Sequence, residues 1–393
     1  MRLRVGSAAL AAVVLLLVAG CTDDGDGTSA DGTSLSGTGS GADCVIGTPV
    51  KVGIVLSLSG GAAFAGEYQQ QGLELAFEEI NAKKGVDYEV VLEDDQTTPD
   101  VGVAVYEKLI DADRVSVIVG PTLSSVAFTA FSDAQEAGVP ALGISTTAEG
   151  IPELGDYIFR DSLSEQIALN ASIPAAVQAL DLKTVAILHD SVDEFTSSAY
   201  TTMKEALEGL GIDIVEDHEF ATTDTTFTEQ LNQVRAAAPD AVVLSALPGA
   251  TIPLVKEARE LGITAPIVGG NAFNSPVMVG ALGAAAEGLI VGGAWSSALP
   301  SEGNEQFVAS FTQRYGKAPD QFAAQAYTAA QLIDVAVRAD CDAGREAIKD
   351  NLGQILEQET ILGTLSIDEN GEVYQDPVVQ IVRDGVLVPL EGD

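Results

Sequence analysis

Three stretches of this 393-residue sequence gather small hydroxyl side chains beside glycine or proline. They are Ser57-Leu58-Ser59-Gly60-Gly61-Ala62-Ala63-Phe64-Ala65-Gly66, Gly120-Pro121-Thr122-Leu123-Ser124-Ser125 and Ile144-Ser145-Thr146-Thr147-Ala148. Each follows a short apolar run, so each reads as the loop at the end of a strand. Hydroxyls and free backbone NH groups at helix starts are suited to receiving an anion, a carboxylate above all. Ser124 stands where a helix begins and fits that use; a plain helix cap accounts for it equally well.

Other chemistries lack their parts. The two histidines, His189 and His218, form no cluster with cysteine at metal-ligand spacing. There is no G-x-S-x-G elbow, no G-x-x-x-x-G-K-[ST] loop and no G-x-G-x-x-G in a strand-to-helix context. Acidic pairs such as Asp94-Asp95 read as solvated loop charge. The chain is expected to be no enzyme and to need neither metal nor cofactor.

The elements that would position those loops alternate. Apolar runs at Lys51 to Leu56, Tyr88 to Glu93, Val115 to Val119, Pro140 to Ile144, Thr184 to Leu188, Ile212 to Glu216, Ala241 to Leu244, Pro266 to Val268 and Leu289 to Gly292 predict strands. Amphipathic stretches such as Tyr68 to Asn81, Ser124 to Ala137, Leu163 to Leu180 and Thr196 to Leu210 predict the helices between them. This is an α/β chain with parallel sheets and crossover helices. Ligands of such sheets collect beyond the carboxyl ends of the strands, where the hydroxyl loops lie. The end is β-rich, with Asn370-Gly371 and Asp384-Gly385 as hairpin turns. About 345 folded residues exceed one core and predict two lobes.

The N-terminus reads as an export signal: Arg2 and Arg4, an apolar run from Val5 to Ala19, then Gly20 and Cys21. Val18-Ala19-Gly20-Cys21 looks like a lipobox, with Cys21 the lipidated residue of an extracytoplasmic, membrane-anchored protein. Residues 1–20 would be the leader and 21–47 a flexible tether of Asp, Gly, Ser, Thr and Ala. The net charge is −39, and losing Arg2 and Arg4 with the leader takes it to −41. Such a chain repels polyanions, which excludes nucleic acid as a partner. Salt screens that field within a Debye length of roughly 8 Å, so it does not describe the ligand. Cys44 and Cys341 remain, an exported pair that invites a disulfide, free thiols being the alternative.

The loops, with their order and spacing, carry a resemblance to the branched-chain amino-acid (Leu/Ile/Val)-binding family of ABC-importer solute receptors. Its pieces include K-V-G-I-V-L-S-L-S-G-G, G-L-E-L-A-F-E-E-I-N-A, I-V-G-P-T-L-S-S, G-I-S-T-T-A-E, V-A-I-L-H-D and I-D-E-N-G, spanning Lys51 to Leu387. The resemblance implies a type I periplasmic-binding fold, two Rossmann-like lobes joined by three hinge crossovers. One lobe would take 48–160 and 293–363, the other 161–292 and 364–393. It also implies site residues. A carboxylate-binding serine falls on Ser124, and an alanine-x-threonine pair, acting through backbone and hydroxyl, on Ser145 and Thr147. Thr122 and Leu123 would line the same wall. Ala65 holds the place of a first-loop aromatic, with Phe64 beside it. Cleft aromatics fall on Phe195, with one residue inserted, on Leu247 and on Phe322. For Phe195 and Phe322 ordinary core packing is the alternative.

Asn271 departs from the family. Amino-acid-binding members carry a carboxylate there for the ligand's α-ammonium, whereas this chain has an amide that could accept only through its carbonyl. Asp193 or Glu194 nearby could supply the charge. The reading that results is a monomeric, lipid-anchored receptor that closes on a small amino acid, or a related carboxylate or amide, and delivers it to ABC permease subunits. A ligand-sensing lipoprotein that reports to a membrane receptor is the alternative.

Overall fold

The computed structural model describes residues 35–390. The leader and Cys21 lie outside the described residues.

Near-continuous apolar runs, as in the Val50–Leu56 segment, suit strands covered on both faces. The first sheet is wholly parallel. Its chain order is β1 (Val50–Leu56), α1 (Ala63–Asn81), β2 (Tyr88–Asp94), α2 (Pro99–Glu107), β3 (Val117–Val119), α3 (Ser124–Glu136), β4 (Ala141–Gly143) and β5 (Ile158–Arg160). The spatial order is β2-β1-β3-β4-β5. The chain then crosses to a second lobe, which begins with α4 (Glu165–Leu180). There follow β6 (Thr184–Asp190), α5 (Glu194–Gly209), β7 (Asp213–Phe220), α6 (Thr228–Ala237), β8 (Ala241–Ser245), α7 (Pro248–Glu260), β9 (Ile267–Gly269), α8 (Pro276–Leu282) and β10 (Ile290–Gly293). These strands lie as β10-β9-β8-β6-β7, all parallel. The two sheets therefore repeat one winding, with the first strand of each flanked by the second and third. A sheet wound this way leaves a crevice at the carboxyl ends where the order reverses.

A second crossover returns the chain to the first lobe as α9 (Glu302–Tyr315), α10 (Gln321–Asp340) and α11 (Arg345–Leu352). Helix α10 lies against α1 so closely that a Cβ on Gly72 would sit 2.2 Å from the Ala323 carbonyl oxygen. Phe307, Phe311, Tyr327 and Leu332 join Val50, Val52 and Leu73 in one apolar cluster. Three short strands, β11 (Gln358–Thr360), β12 (Gly363–Ile367) and β13 (Val373–Tyr374), form a small antiparallel sheet.

Here the boundary read from the sequence needs correction. Leu365, Ile367 and Val373 are buried in the first lobe's cluster beside Phe159. The third crossover therefore comes after Tyr374, not at 363. The chain ends as a hairpin, β14 (Val378–Arg383) and β15 (Val386–Pro389), added antiparallel to β10. Its turn residues Asp384 and Gly385 both have positive φ, 53° and 74°. Such values match the right-handed twist of the flanking strands.

Of the stretch expected as a tether, the described residues 35–47 are fixed to the first lobe. Gly37 N donates to Cys341 O at 2.7 Å, Thr38 and Val45 pair, and Ile46 N donates to Gly85 O at 2.8 Å. Cys44 and Ile46 are buried, and Cys44 is bonded to Cys341 with their Cα atoms 5.3 Å apart. Ile46 and the bonded Cys44, with the partly buried Leu35, pack this segment against the first lobe's cluster.

Candidate functional site: the cleft between the lobes

The three hydroxyl loops leave the carboxyl ends of β1, β3 and β4, which are neighbours in the sheet. Loops after β6, β8 and β9 face them from the second lobe. Between them lies a cleft of about 880 Å³, counting its open mouth. All eleven residues singled out from the sequence as ligand-binding line it: Phe64, Ala65, Thr122, Leu123, Ser124, Ser145 and Thr147, then Phe195, Leu247, Asn271 and Phe322. Phe64 meets Phe322 edge-on, with ring centroids 5.8 Å apart at 84°. Phe195 and Phe322 are also nearly buried in the lobe cores, so core packing and cleft wall coincide in both. The volume suits a small solute held against an apolar wall with a few polar groups.

The hydroxyls divide into two sets. Thr122 Oγ1 accepts from Ser57 N at 3.0 Å and donates to Gln69 Oε1 at 2.6 Å. Ser145 Oγ accepts from Gln69 Nε2 at 2.7 Å and donates to the Thr122 carbonyl. Both are thus engaged inside the protein, with the buried Gln69 as their bridge. Ser124 Oγ accepts from Ala148 N at 3.2 Å, which leaves its proton to point elsewhere. Among the described residues no partner holds the Thr147 hydroxyl, and the residue lines the cleft. Helix α3 has Leu123 as its N-cap, with no side-chain hydrogen bond to its first turn. The capping explanation of Ser124 is therefore not what the structure shows. An uncapped helix start and two hydroxyl protons are chemically suited to an anion.

Loop position is enforced from behind. Gly120, at φ 101°, would bring a Cβ within 1.9 Å of the Val55 carbonyl oxygen, so glycine lets the second loop turn against β1. Arg160 Nη1 donates to Thr146 O at 3.1 Å and Ala148 O at 2.8 Å, while its other nitrogens pair with Glu372. That side chain ties the third loop to the segment before the third crossover.

Asn271 is nearly buried and fully engaged. Its Nδ2 donates to Glu165 Oε2 at 2.9 Å and to Leu163 O at 3.1 Å. Its Oδ1, expected from the sequence to be open to a ligand, accepts from Gln321 Nε2 at 3.0 Å. Gln321 Oε1 in turn accepts from Asn274 Nδ2 at 2.8 Å and Ala294 N at 2.6 Å. Burial pushes the Glu165 carboxyl up to about 7, with the Asn271 amide as a partial offset. Asp193, one of two carboxylates named as substitutes, lines the cleft and caps α5 by accepting from Thr196 N at 3.2 Å. Burial pushes it up to about 6, and the neighbouring Glu194 and Asp190 act in the same direction. Glu194, the other, is exposed and does not line the cleft.

Sequence reasoning missed Gln69, Gln321 and Arg160. Gln69 sits on the buried stripe of α1 with Tyr68, Gly72, Leu73 and Ala76, a helical spacing that marks it apart from Gln70 and Gln71. His189 and His218, set aside as metal ligands, occupy structural places. His189 stacks on Tyr200 at 3.8 Å and His218 lies 2.9 Å from Glu216. Among the described residues no group of three His, Cys, Asp or Glu is placed to hold a metal.

Residues 49–385 match the periplasmic binding protein family. The chain belongs to that family: it is a solute-binding protein of the type I periplasmic-binding fold, not an enzyme. It is 25% identical over 337 residues to the leucine-, isoleucine-, valine-, threonine-, and alanine-binding protein of Pseudomonas aeruginosa, covering 82% of this chain and 87% of that one. Its fold is similar to that of the branched-chain amino acid transporter substrate binding protein LivJ from Streptococcus pneumoniae in complex with isoleucine. The TM-score there is 0.82, with 27% identity and coverage of 86% of this chain and 98% of that chain. It is also similar to a solute binding protein of an ABC transporter from Rhodopseudomonas palustris in complex with 3,4-dihydroxy benzoic acid. For that chain the TM-score is 0.79 and the identity 26%, covering 86% of this chain and 95% of that chain.

Proposed function

We propose that this chain is the extracytoplasmic capture subunit of an ABC importer, and that it binds one small carboxylate-bearing solute, an amino acid or a relative of one, by closing two lobes over it. The observation that carries this reading is the uncapped start of α3, with the Ser124 and Thr147 hydroxyls, opening into a cleft otherwise walled by Phe64, Phe195, Leu247 and Phe322. Polar groups there receive a carboxylate and the apolar wall receives a side chain or ring. The relatives that bind isoleucine and a dihydroxybenzoic acid support the same division, since both solutes pair a carboxylate with an apolar body. Binding at the crevice between lobes favours the closed arrangement, and a closed shape is what a permease can recognise.

The anchor is proposed as Cys21. The acidic, hydroxyl-rich stretch after it gives the folded part reach from the membrane. Cys21→Ser should move the protein from the membrane fraction to the medium; retention at the membrane would overturn the anchor. For the ligand, a thermal-shift screen over amino acids, keto acids and aromatic acids is the test, because a solute that binds the native state raises its midpoint. Stabilisation by a carboxylate-bearing solute supports the reading, and stabilisation only by sugars or cations overturns it.

A further inference from the structure

Among the described residues that line the cleft, Asp193 is the one whose side chain ionises at physiological pH; no lysine, arginine or histidine is among them. It stands on the second lobe, at the start of α5, opposite the anion-receiving α3 end of the first lobe. No salt bridge among the described residues occupies it. The cleft is thus polarised: one wall receives negative charge and the other carries it. A simple carboxylic acid would satisfy the first wall and leave the half-buried Asp193 facing a second anion, which is costly. A solute with a cationic group beside its carboxylate satisfies both walls and ties one lobe to the other.

Asn271 cannot take that part. Its two amide hydrogens and its carbonyl are already held by Glu165, Leu163 and Gln321. A cation placed there would have to displace one of these buried bonds.

We propose that Asp193 is the ammonium-binding, specificity-determining residue of this cleft, so that the captured solute is a zwitterion with its carboxylate at Ser124 and Thr147 and its amino group at the head of α5. This rests on the reading of the cleft as a carboxylate site. Solutes of the same shape without the amino group are then discriminated against by the unpaired Asp193, and charge at position 193 sets which class is taken.

The test uses matched pairs that differ only in the ammonium: alanine with propanoate, valine with 3-methylbutanoate, leucine with 4-methylpentanoate, and phenylalanine with 3-phenylpropanoate. Each is titrated calorimetrically into the purified protein and into Asp193→Asn. Asparagine also caps helices well, so the variant keeps the start of α5. Expected is a preference of tenfold or more for the amino member of the pair that binds. In Asp193→Asn that preference should fall at least tenfold while the des-amino member binds as well as before or better, which also shows the cleft intact. Equal binding of both members, or a preference unchanged in Asp193→Asn, overturns the assignment and leaves the carboxylate reading standing. If no member of any pair binds and a carboxylate-free solute does, both fall together.

Discussion

The side-chain amide of Asn271 lies 2.9 Å from the carboxylate of Glu165, and its backbone NH reaches the same oxygen at 3.1 Å. Glu165 begins α4 directly after the first crossover, whereas Asn271 comes from the loop after β9. Gln321, at the start of α10, holds the other end of the amide and also the Ala294 NH of the second crossover. Gln380 of β14 donates to Asn274 at 2.9 Å and brings in the third. One buried polar network thus joins the floor of the cleft to all three hinge segments. Gly270 is part of the fit, since a Cβ there would stand 1.8 Å from Glu165 Oε1.

Asn271→Asp would set two buried carboxyls side by side, and only one could ionise. It should lower stability by about 2–4 kcal/mol through the lost donor and the repulsion. The loss should be smaller at pH 5.5 than at pH 8, where neither proton is held as well. Thermal midpoints at the two pH values measure this; equal midpoints for variant and parent at pH 8 would contradict the network's role.

Three buried acids and the half-buried Asp193 make the parent itself pH-sensitive. Burial raises Glu165 and Asp320 to about 7 and Asp193 to about 6, and it holds Asp161, whose oxygens have no partner, well above the usual range. A carboxyl whose folded value exceeds its unfolded one binds more protons when folded, so stability rises as pH falls between the two values. The midpoint should therefore climb from pH 8 to pH 5, and Glu165→Gln should flatten part of that climb. Below about pH 4 the trend should reverse as Glu67, Asp94, Asp240 and Glu346, all lowered by their hydrogen bonds, take up protons. A midpoint that falls steadily from pH 8 to pH 5 would contradict this.

The anion receptor makes its own prediction. Ser124→Ala and Thr147→Val should each weaken solute binding by about 1–3 kcal/mol, the range for a hydrogen bond to a charged group. Without solute the thermal midpoint of Thr147→Val should move little, whereas that of Ser124→Ala should fall, because the buried Ala148 NH then loses its acceptor. Calorimetry on both variants is the check, and unchanged affinity in both would remove the hydroxyls from the site.

Binding should also depend on pH through Asp193, whose protonated form is favoured by burial and, less, by the charges of Glu194 and Asp190. Affinity for an amino acid should be flat above pH 7 and about tenfold weaker at pH 5, as the ammonium then meets a neutral acid. The Asp193→Asn profile should lack that step.

Reduction of Cys44–Cys341 frees the segment at 35–47 and opens a closure of 297 residues. A loss of roughly 2–5 kcal/mol is expected. Solute affinity should survive it, because the bridge lies at the far end of α10 from Phe322. A Cys44→Ser/Cys341→Ser variant that denatures with the parent would contradict the stabilising role.

The first-lobe wall of the cleft was legible in the sequence, because an apolar strand followed by glycine and hydroxyls marks a carboxyl-end loop, and such loops converge in a doubly wound sheet; Phe195, Leu247, Asn271 and Phe322 were implied by the family resemblance alone. What chain order could not convey is which polar atoms are left over. Thr122 and Thr147 look alike in sequence, yet Gln69 engages one and leaves the other to the cleft. Asn271 read as a replaced ligand contact, whereas its amide is a hinge tie, a distinction set by Glu165 more than a hundred residues earlier. The fold boundary at 363 slipped for a related reason. A β-rich tail carries no mark of which lobe its strands cover, and Leu365, Ile367 and Val373 turn to the first.

A receptor of this kind captures one unaltered solute between its lobes. Titration of the purified protein with its stabilising solute, followed by release and mass analysis, measures that. One equivalent bound per chain and recovered unchanged is the expected result; conversion of the solute, or its binding undiminished when Ser124, Thr147 and Asp193 are replaced together, would contradict it.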